Sequence, residues 1–440
     1  MKNIFLTILL FSLCLSLKAQ EKWDLKKCID YAKEHNISLQ LKKLDAEVQE
    51  NNAKQSKYSL LPNLNARSNF NRTWGRSEDR ATGTYTDINS KYVSISVGST
   101  VSLFNGFQKQ NTIKQANIDL QAYLEDIEKT SNDISLRIAS FYLDILFKKE
   151  LLQVAKDQLK ITQLQIERTS VLVEAGTLPK GTLMEQKAQA AQEELTVVTS
   201  ENNLNLSLLD LAQLLDLSST EAFDIEIPGL PALNANRTLL NPNSVYEIAL
   251  NSLPEIKAAN LRLQSTEKGL SLAKAGIMPS LELNAGWSTD YSKLDDFSAA
   301  SFGDQLKDRV NKYVGLSLNI PIFNGGINRR NISNAKINID RSRLYLEDTK
   351  NILRKEIQQA HANALAAMKK YFSSETAVSS TEEAFRYTEE KFNLGLVNSV
   401  EYNQAKNNLL KSKSNLLQAK YEYIFRTKII DFYNGVEISL

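Results

Sequence analysis

The sequence predicts a mainly α chain with membrane β: a duplicated plan in which short helices lead to two alternating strands and then to a very long helical hairpin. Three observations predict it. The first is repetition. The phrase SLFNG at residues 102–106 returns as IPIFNGG at 320–326, with Phe323 lying 219 residues beyond Phe104 in a chain of 440. Ala32 and Ala249, Leu39 and Ile256, and Pro62 and Pro279 are 217 apart, whereas Gly176 and Gly395, and Lys187 and Lys406, are 219 apart. Two halves with a two-residue insertion between the anchor regions account for this drift.

The second observation is period-two alternation. Leu64, Ala66, Phe70 and Trp74 alternate with Asn63, Asn65, Arg67, Asn69 and Asn71, and Val93, Ile95, Val97, Val101 and Leu103 alternate with small polar residues. Leu281, Leu283, Ala285 and Trp287, then Val314, Leu316, Leu318, Ile320 and Ile322, repeat the pattern in the second half. A membrane barrel strand needs one apolar and one wet face, although a soluble sheet over a core alternates identically. Trp74, Tyr92, Trp287, Tyr291 and Tyr313 lie near the expected strand ends, where an interfacial girdle would sit or where they would serve as packing residues. Four strands cannot close a barrel, and open edges are not tolerated in lipid, so strands must be pooled from several chains. Residues 75–90 and 292–311 are polar and carry Gly75, Gly83 and Gly303, as exposed loops do.

The third is helical length. No Gly or Pro occurs from Phe107 to Ala175 or from Ile327 to Leu394, and Ile127, Ile134, Ile138, Phe141 and Ile145 recur at threes, fours and sevens. A run of roughly 70 residues is about 100 Å long if continuous. Shorter partners over about 182–217 and 401–433 complete two antiparallel hairpins with tips near Gly176 and Gly395.

The remaining elements follow in order. Residues 1–19 are expected to be a secretory signal, because the apolar run Ile4–Leu17 is too short to span a bilayer and is followed by small and polar residues. Leu13 precedes Cys14 where a lipid-attachment site wants a small residue, which argues against an anchor there and leaves Cys28 as the one cysteine of the mature chain. N-terminal helices occupy 20–61, strands 1 and 2 occupy 62–105, and the first hairpin occupies 106–217. A linker with Pro228, Gly229, Pro231 and Pro242 covers 218–243, a helix of the second repeat 244–278, strands 3 and 4 279–324, the second hairpin 325–434, and a tail 435–440.

Composition narrows the function. A formal net charge of +2, with Lys and Arg scattered among Glu and Asp, marks no nucleic-acid binder. With two histidines, His35 and His361, and no nucleophile elbow, zinc spacing or complete phosphate loop, no enzyme, metal or cofactor is expected. No run after the signal is long enough for a transmembrane helix.

This ordered combination, twice over, resembles the TolC-like outer membrane efflux family. The resemblance implies a trimeric α-barrel on a shared 12-stranded transmembrane β-barrel in the outer membrane of a Gram-negative bacterium, with a large periplasmic portion. It implies passive conduction, in efflux or type I secretion, from a periplasmic adaptor (membrane fusion) protein and an inner-membrane transporter of RND or ABC type. Phe104, Asn105 and Gly106, and Pro321, Phe323, Asn324, Gly325 and Gly326, match the family's strand-to-helix junctions; Ser102 and Phe107 depart from the second copy, which implies a looser or bulged first junction. Gly176, Thr177 and Leu178, and Gly395, Leu396 and Val397, match the tips that meet the adaptor, and as turn formers the glycines have a plain structural role as well. Glu401 matches an acidic position at the tunnel entrance, and is equally an ordinary helix-start carboxylate. Gln404 stands where a second acid is common, and Val397 where some relatives carry a basic residue, so the charge ring is weaker and a salt-bridge latch at Val397 is lost. The competing reading is a structural or adhesive coiled-coil envelope protein without a pore.

Overall fold

A computed structural model describes residues 22–79, 81–217, 223–229, 233, 239–294 and 299–440. The expected signal peptide and parts of the linker lie outside them. Among the described residues the order is α1 (Leu25–His35), α2 (Ile37–Tyr58), β1 (Asn65–Asp79), β2 (Thr84–Asn105), α3 (Gln108–Glu174), α4 (Lys180–Leu214), α5 (Pro242–Ser252), α6 (Pro254–Ala275), β3 (Ser280–Leu294), α7 (Phe302–Asp308), β4 (Asn311–Asn319), α8 (Ile327–Asn393) and α9 (Ser399–Tyr433). The duplication is visible in the lengths. α1 and α5 have 11 residues each, α2 and α6 have 22, α3 and α8 have 67, and α4 and α9 have 35.

The chain forms two compact units, and α3 and α8 contribute to both. One contains the segment up to Leu44, Glu125–Lys257 and Asp348–Leu440. Its core uses each short helix in the same way. In the first repeat Leu25, Cys28, Ile29 and Ala32 of α1 pack with Ile138, Tyr142 and Ile145 of α3 and Leu211 of α4. In the second, Val245, Tyr246 and Ala249 of α5 pack with Leu353, Ile357 and Ala360 of α8 and Ile430 of α9. The equivalent residues Ala32 and Ala249 are both fully buried. Trp23 and Ile225 form a parallel β-bridge that ties the N-terminal segment to the linker, and the Tyr142 hydroxyl lies 2.7 Å from the Glu226 carbonyl oxygen.

The other unit, Asp45–Leu124 with Ala258–Glu347, holds a four-stranded antiparallel sheet of order β1-β2-β3-β4. Its register gathers the alternating residues onto one face. Phe70 pairs with Val93, Val97 with Trp287, Leu283 with Leu316, and Ala285 with Val314. The opposite face is polar, where Thr100 Oγ1 donates to Asn284 Oδ1 at 2.9 Å and Asn284 Nδ2 to Ser317 Oγ at 3.1 Å.

Several boundaries differ from the sequence reading. β1 and β2 run on through much of 75–90, so polar residues there are strand residues beyond the apolar band. Within 292–311 lies α7, capped by Ser301, whose hydroxyl accepts from the Asp304 amide at 3.2 Å. It packs on β3, with the Thr289 hydroxyl donating to the Leu306 carbonyl at 2.8 Å and Arg309 paired with Asp290 at 2.9 Å. β4 stops at Asn319, short of Ile320 and Ile322, because Pro321 has no amide hydrogen to give a ladder. Leu103 leaves the alternation: a bulge between Ser102 and Phe104 places Phe104, not Leu103, beside Leu281.

Candidate functional site

Each hairpin tip is built by a helix that ends in a reversed turn. Gly176 and Gly395 have φ of +75° and +72°, the left-handed region in which a Cβ is strained. The bond pattern is that of a Schellman cap. Thr177 N donates to Leu172 O, and Leu396 N to Lys391 O, each at 2.9 Å, while the two glycine amides return to Val173 and Phe392 at 3.0 Å. α4 restarts after Pro179 and α9 after Asn398, whose side chain accepts from Glu401 N at 2.9 Å. The two tips lie side by side. Arg168 Nη1 donates to Asn393 Oδ1 at 3.0 Å, and the Ser399 hydroxyl donates to Glu185. Leu394, Leu396, Val400 and Val171 are exposed there, an apolar set that a single chain leaves uncovered.

Glu401 is exposed, and its carboxylate accepts from Asn398 Nδ2 at 3.3 Å, so the pair forms a reciprocal cap at the start of α9. The plain helix-start role is therefore occupied in the single chain. Gln404, one turn on, is also exposed, with Nε2 donating to Asn408 Oδ1 at 3.2 Å. Thr177 and Leu396 are exposed, whereas Leu178 and Val397 are half-buried. At the junctions, Gly325 and Gly326 have φ of +63° and +82°, and their counterparts Gly106 and Phe107 both have φ of +64°. Phe107 thus holds a left-handed conformation where the second repeat uses Gly, packing edge-on against Phe104 at 5.4 Å. Ile322 and Phe323 are strongly exposed at the second junction.

Sequence reasoning missed a polar column inside the hairpin bundle. Gln186, Glu193, Ser200 and Ser207 of α4 are seven residues apart, and all are buried. At its centre Lys406 of α9, 3% exposed, donates to Glu193 Oε1 at 3.0 Å and to the Thr162 hydroxyl of α3. Thr162 in turn donates to Glu193, and Gln189 Nε2 adds a bond to Oε1 at 3.0 Å. Burial pulls the Lys406 ammonium below its ordinary range, against the Glu193 charge that holds it up. One turn earlier, Tyr402 is buried and stacked on Phe392 at 4.6 Å, and burial, then the charges of Glu389 and Glu193, push its phenol up to about 12. Near the other end, Ser207 donates to Asp144 at 2.9 Å, and Lys148 pairs with the same carboxylate at 2.8 Å. A heptad of polar residues running beside the apolar heptad Leu183, Ala190, Val197, Leu204 and Leu211 was the available signal.

The profile of outer membrane efflux proteins matches residues 28–216 and 245–426, both repeats of the fold. The chain belongs to the outer membrane efflux protein family. The efflux-family chain is 21% identical over 400 residues to the outer membrane efflux protein BepC of Brucella suis, which covers 89% of this chain and 81% of that one. It is 23% identical over 378 residues to the outer membrane protein TolC of Escherichia coli, covering 84% of this chain and 73% of that one. Among solved structures, CusC superposes with a TM-score of 0.77 at 18% identity, over 96% of each chain. VceC of Vibrio cholerae gives 0.75 at 17%, over 94% of this chain and 96% of that one. The fold of this efflux protein is thus that of the TolC-like outer membrane channels, a helical tunnel joined to a membrane β-sheet.

Proposed function

We propose that three copies of this chain assemble into a closed duct that conducts solutes passively across the outer membrane and periplasm. The observation that carries this is the sheet. β1 and β4 are unpaired edges among the described residues, and Val314, Leu316 and Leu318 stand exposed on an apolar face whose reverse is polar. Lipid accepts the apolar face but not the open edges, so three sheets of four strands closing into one 12-stranded barrel satisfy both. No described helix is long and apolar enough to cross a membrane.

The long hairpins then form a periplasmic tunnel whose tips meet an adaptor protein fed by an inner-membrane transporter of RND or ABC type, in efflux or type I secretion. Exposed Leu394, Leu396 and Val400 suit such docking, and threefold assembly brings three copies of Glu401 to the tunnel entrance. The duct's own chemistry is a wet polar wall behind that entrance, and the energy is the transporter's. Purified protein in mild detergent should run as a trimer and give discrete conductance steps in planar bilayers. A stable monomer, or a trimer that never conducts, refutes the proposal.

A further inference from the structure

The sheet carries a row of like charges where its apolar band ends. Register places Arg72 of β1 opposite Lys91 of β2, and Lys91 opposite Lys293 of β3. All three are in phase with Phe70, Val93 and Tyr291, one row nearer the helices, so the cations stand on the apolar face and not on the polar one. Lys312, which opens β4 opposite Trp287, is on this face as well but stands three rows away. Like charges directly opposite one another on neighbouring strands destabilise a sheet. Among the described residues, Arg72, Lys91 and Lys293 meet no carboxylate that would offset this; the ion pairs of the region, Arg76 with Asp87 and Arg309 with Asp290, leave them out.

The height of the row fits a membrane interface. On this face β3 runs Leu281, Leu283, Ala285, Trp287, Thr289 and Tyr291 without a charge, and Lys293 follows. The step from Leu281 to Tyr291 rises about 34 Å along the strand. At a strand tilt of about 40° that is about 26 Å along the membrane normal, against about 25 Å for the lipid-facing band of an outer-membrane barrel. Helices join β1 at Asn65 and β2 at Asn105, so the charged row lies toward the opposite, outward end. Aromatic rings flank it. Trp74 stands one row farther out, exposed, with the Arg72 guanidinium 5.1 Å from its ring centre. One row inward are exposed Phe70 and Tyr291, the latter edge-on to Phe302 of α7 at 5.0 Å.

An anion set across the three strands relieves the repulsion. Phosphate suits the set, since a guanidinium fork holds two of its oxygens and each ammonium adds a compact charge. In the outer leaflet of a Gram-negative outer membrane the phosphates belong to a glycolipid and lie directly above its acyl chains, the same order as cations above an apolar face. We propose that Arg72, Lys91 and Lys293 bind the phosphates of an outer-leaflet glycolipid, whose acyl chains lie along the apolar face beneath them. The proposal rests on the barrel reading above, which turns this face to lipid and this end outward.

Purified trimers in mild detergent are incubated with diphosphorylated lipid A and followed by native mass spectrometry. Bound lipid A should persist at detergent concentrations that strip phosphatidylglycerol and lipid A freed of its phosphates. A basic side chain near a charged membrane surface contributes about a fivefold effect, so Lys91→Gln should weaken retention about fivefold, and the triple variant Arg72→Gln, Lys91→Gln, Lys293→Gln about a hundredfold. Arg67→Gln, on the polar face opposite Ser96, should bind as the parent does. Undiminished binding by the triple variant overturns the site. So does equal retention of dephosphorylated lipid A, which would mark apolar contact alone, or of phosphatidylglycerol, which would mark a surface for any anionic lipid. Should the triple variant yield no trimers, Lys91→Gln decides the matter. Parent trimers that conduct but retain no lipid A overturn the site and leave the duct intact, whereas a monomeric parent overturns both.

Discussion

Replacing Lys406 by Met removes a charge that the fold cannot replace with water. The Lys406 and Glu193 side chains are 3% and 7% exposed, so the remaining carboxylate stays buried without its counter-ion. Breaking a buried pair from one side costs about 3–5 kcal/mol. Glu193 keeps neutral donors from Thr162 and from Gln189 at 3.0 Å, which places the loss near the lower end, about 3 kcal/mol. Replacing both partners, Lys406→Met with Glu193→Leu, removes the stranded charge and should return stability to within about 1 kcal/mol of the parent. Hydrogen exchange in assembled protein reads the effect locally. Amides around 189–196 and 402–410 should exchange about two orders of magnitude faster in Lys406→Met, and near parental rates in the double variant. Unchanged exchange in Lys406→Met would refute the argument, because the pair would then be hydrated. Equal losses in both variants would refute it as well, showing that packing and not charge holds this layer.

Gly176→Val or Gly395→Val forces a branched side chain into a left-handed turn with nothing near the added Cβ, so each should cost about 1–2 kcal/mol locally and lower export while trimer yield stays constant. Glu401→Gln should reduce cation selectivity in reversal-potential recordings and Glu401→Lys should shift it toward anions, with Gln404→Asp acting in the opposite sense; identical reversal potentials would place Glu401 outside the pore. Burial, with the Asp24 charge second, pushes the Cys28 thiol from 9.0 up to about 12. The folded state therefore binds the proton more tightly, so this contribution to stability is complete below about pH 9 and is lost as pH rises toward 12. Maleimide should not modify Cys28 at neutral pH until the protein is unfolded, and prompt labelling of folded protein would contradict that burial.

Much of this protein is determined locally. The duplication, the strand alternation and the Gly-terminated hairpins follow from residue period and from the few residues that tolerate a left-handed turn, and they are legible in the sequence because each depends on neighbours a few positions away. The two-faced character of the sheet likewise follows from period two, which a soluble sheet over a core would share. The tertiary structure decided what period cannot. Leu103 reads as one more apolar strand residue, yet the bulge that puts Phe104 in its place exists only in the pairing of β2 with β3. Nothing in the order of residues marks Glu193 and Lys406 as buried, because sequence gives the phase of a helix face but not what lies against it. They became a buried pair when α9 was laid across α3 and α4, some 213 residues apart along the chain. Desolvation depends on every atom nearby, and those atoms are brought together by the fold and not by their order in the chain.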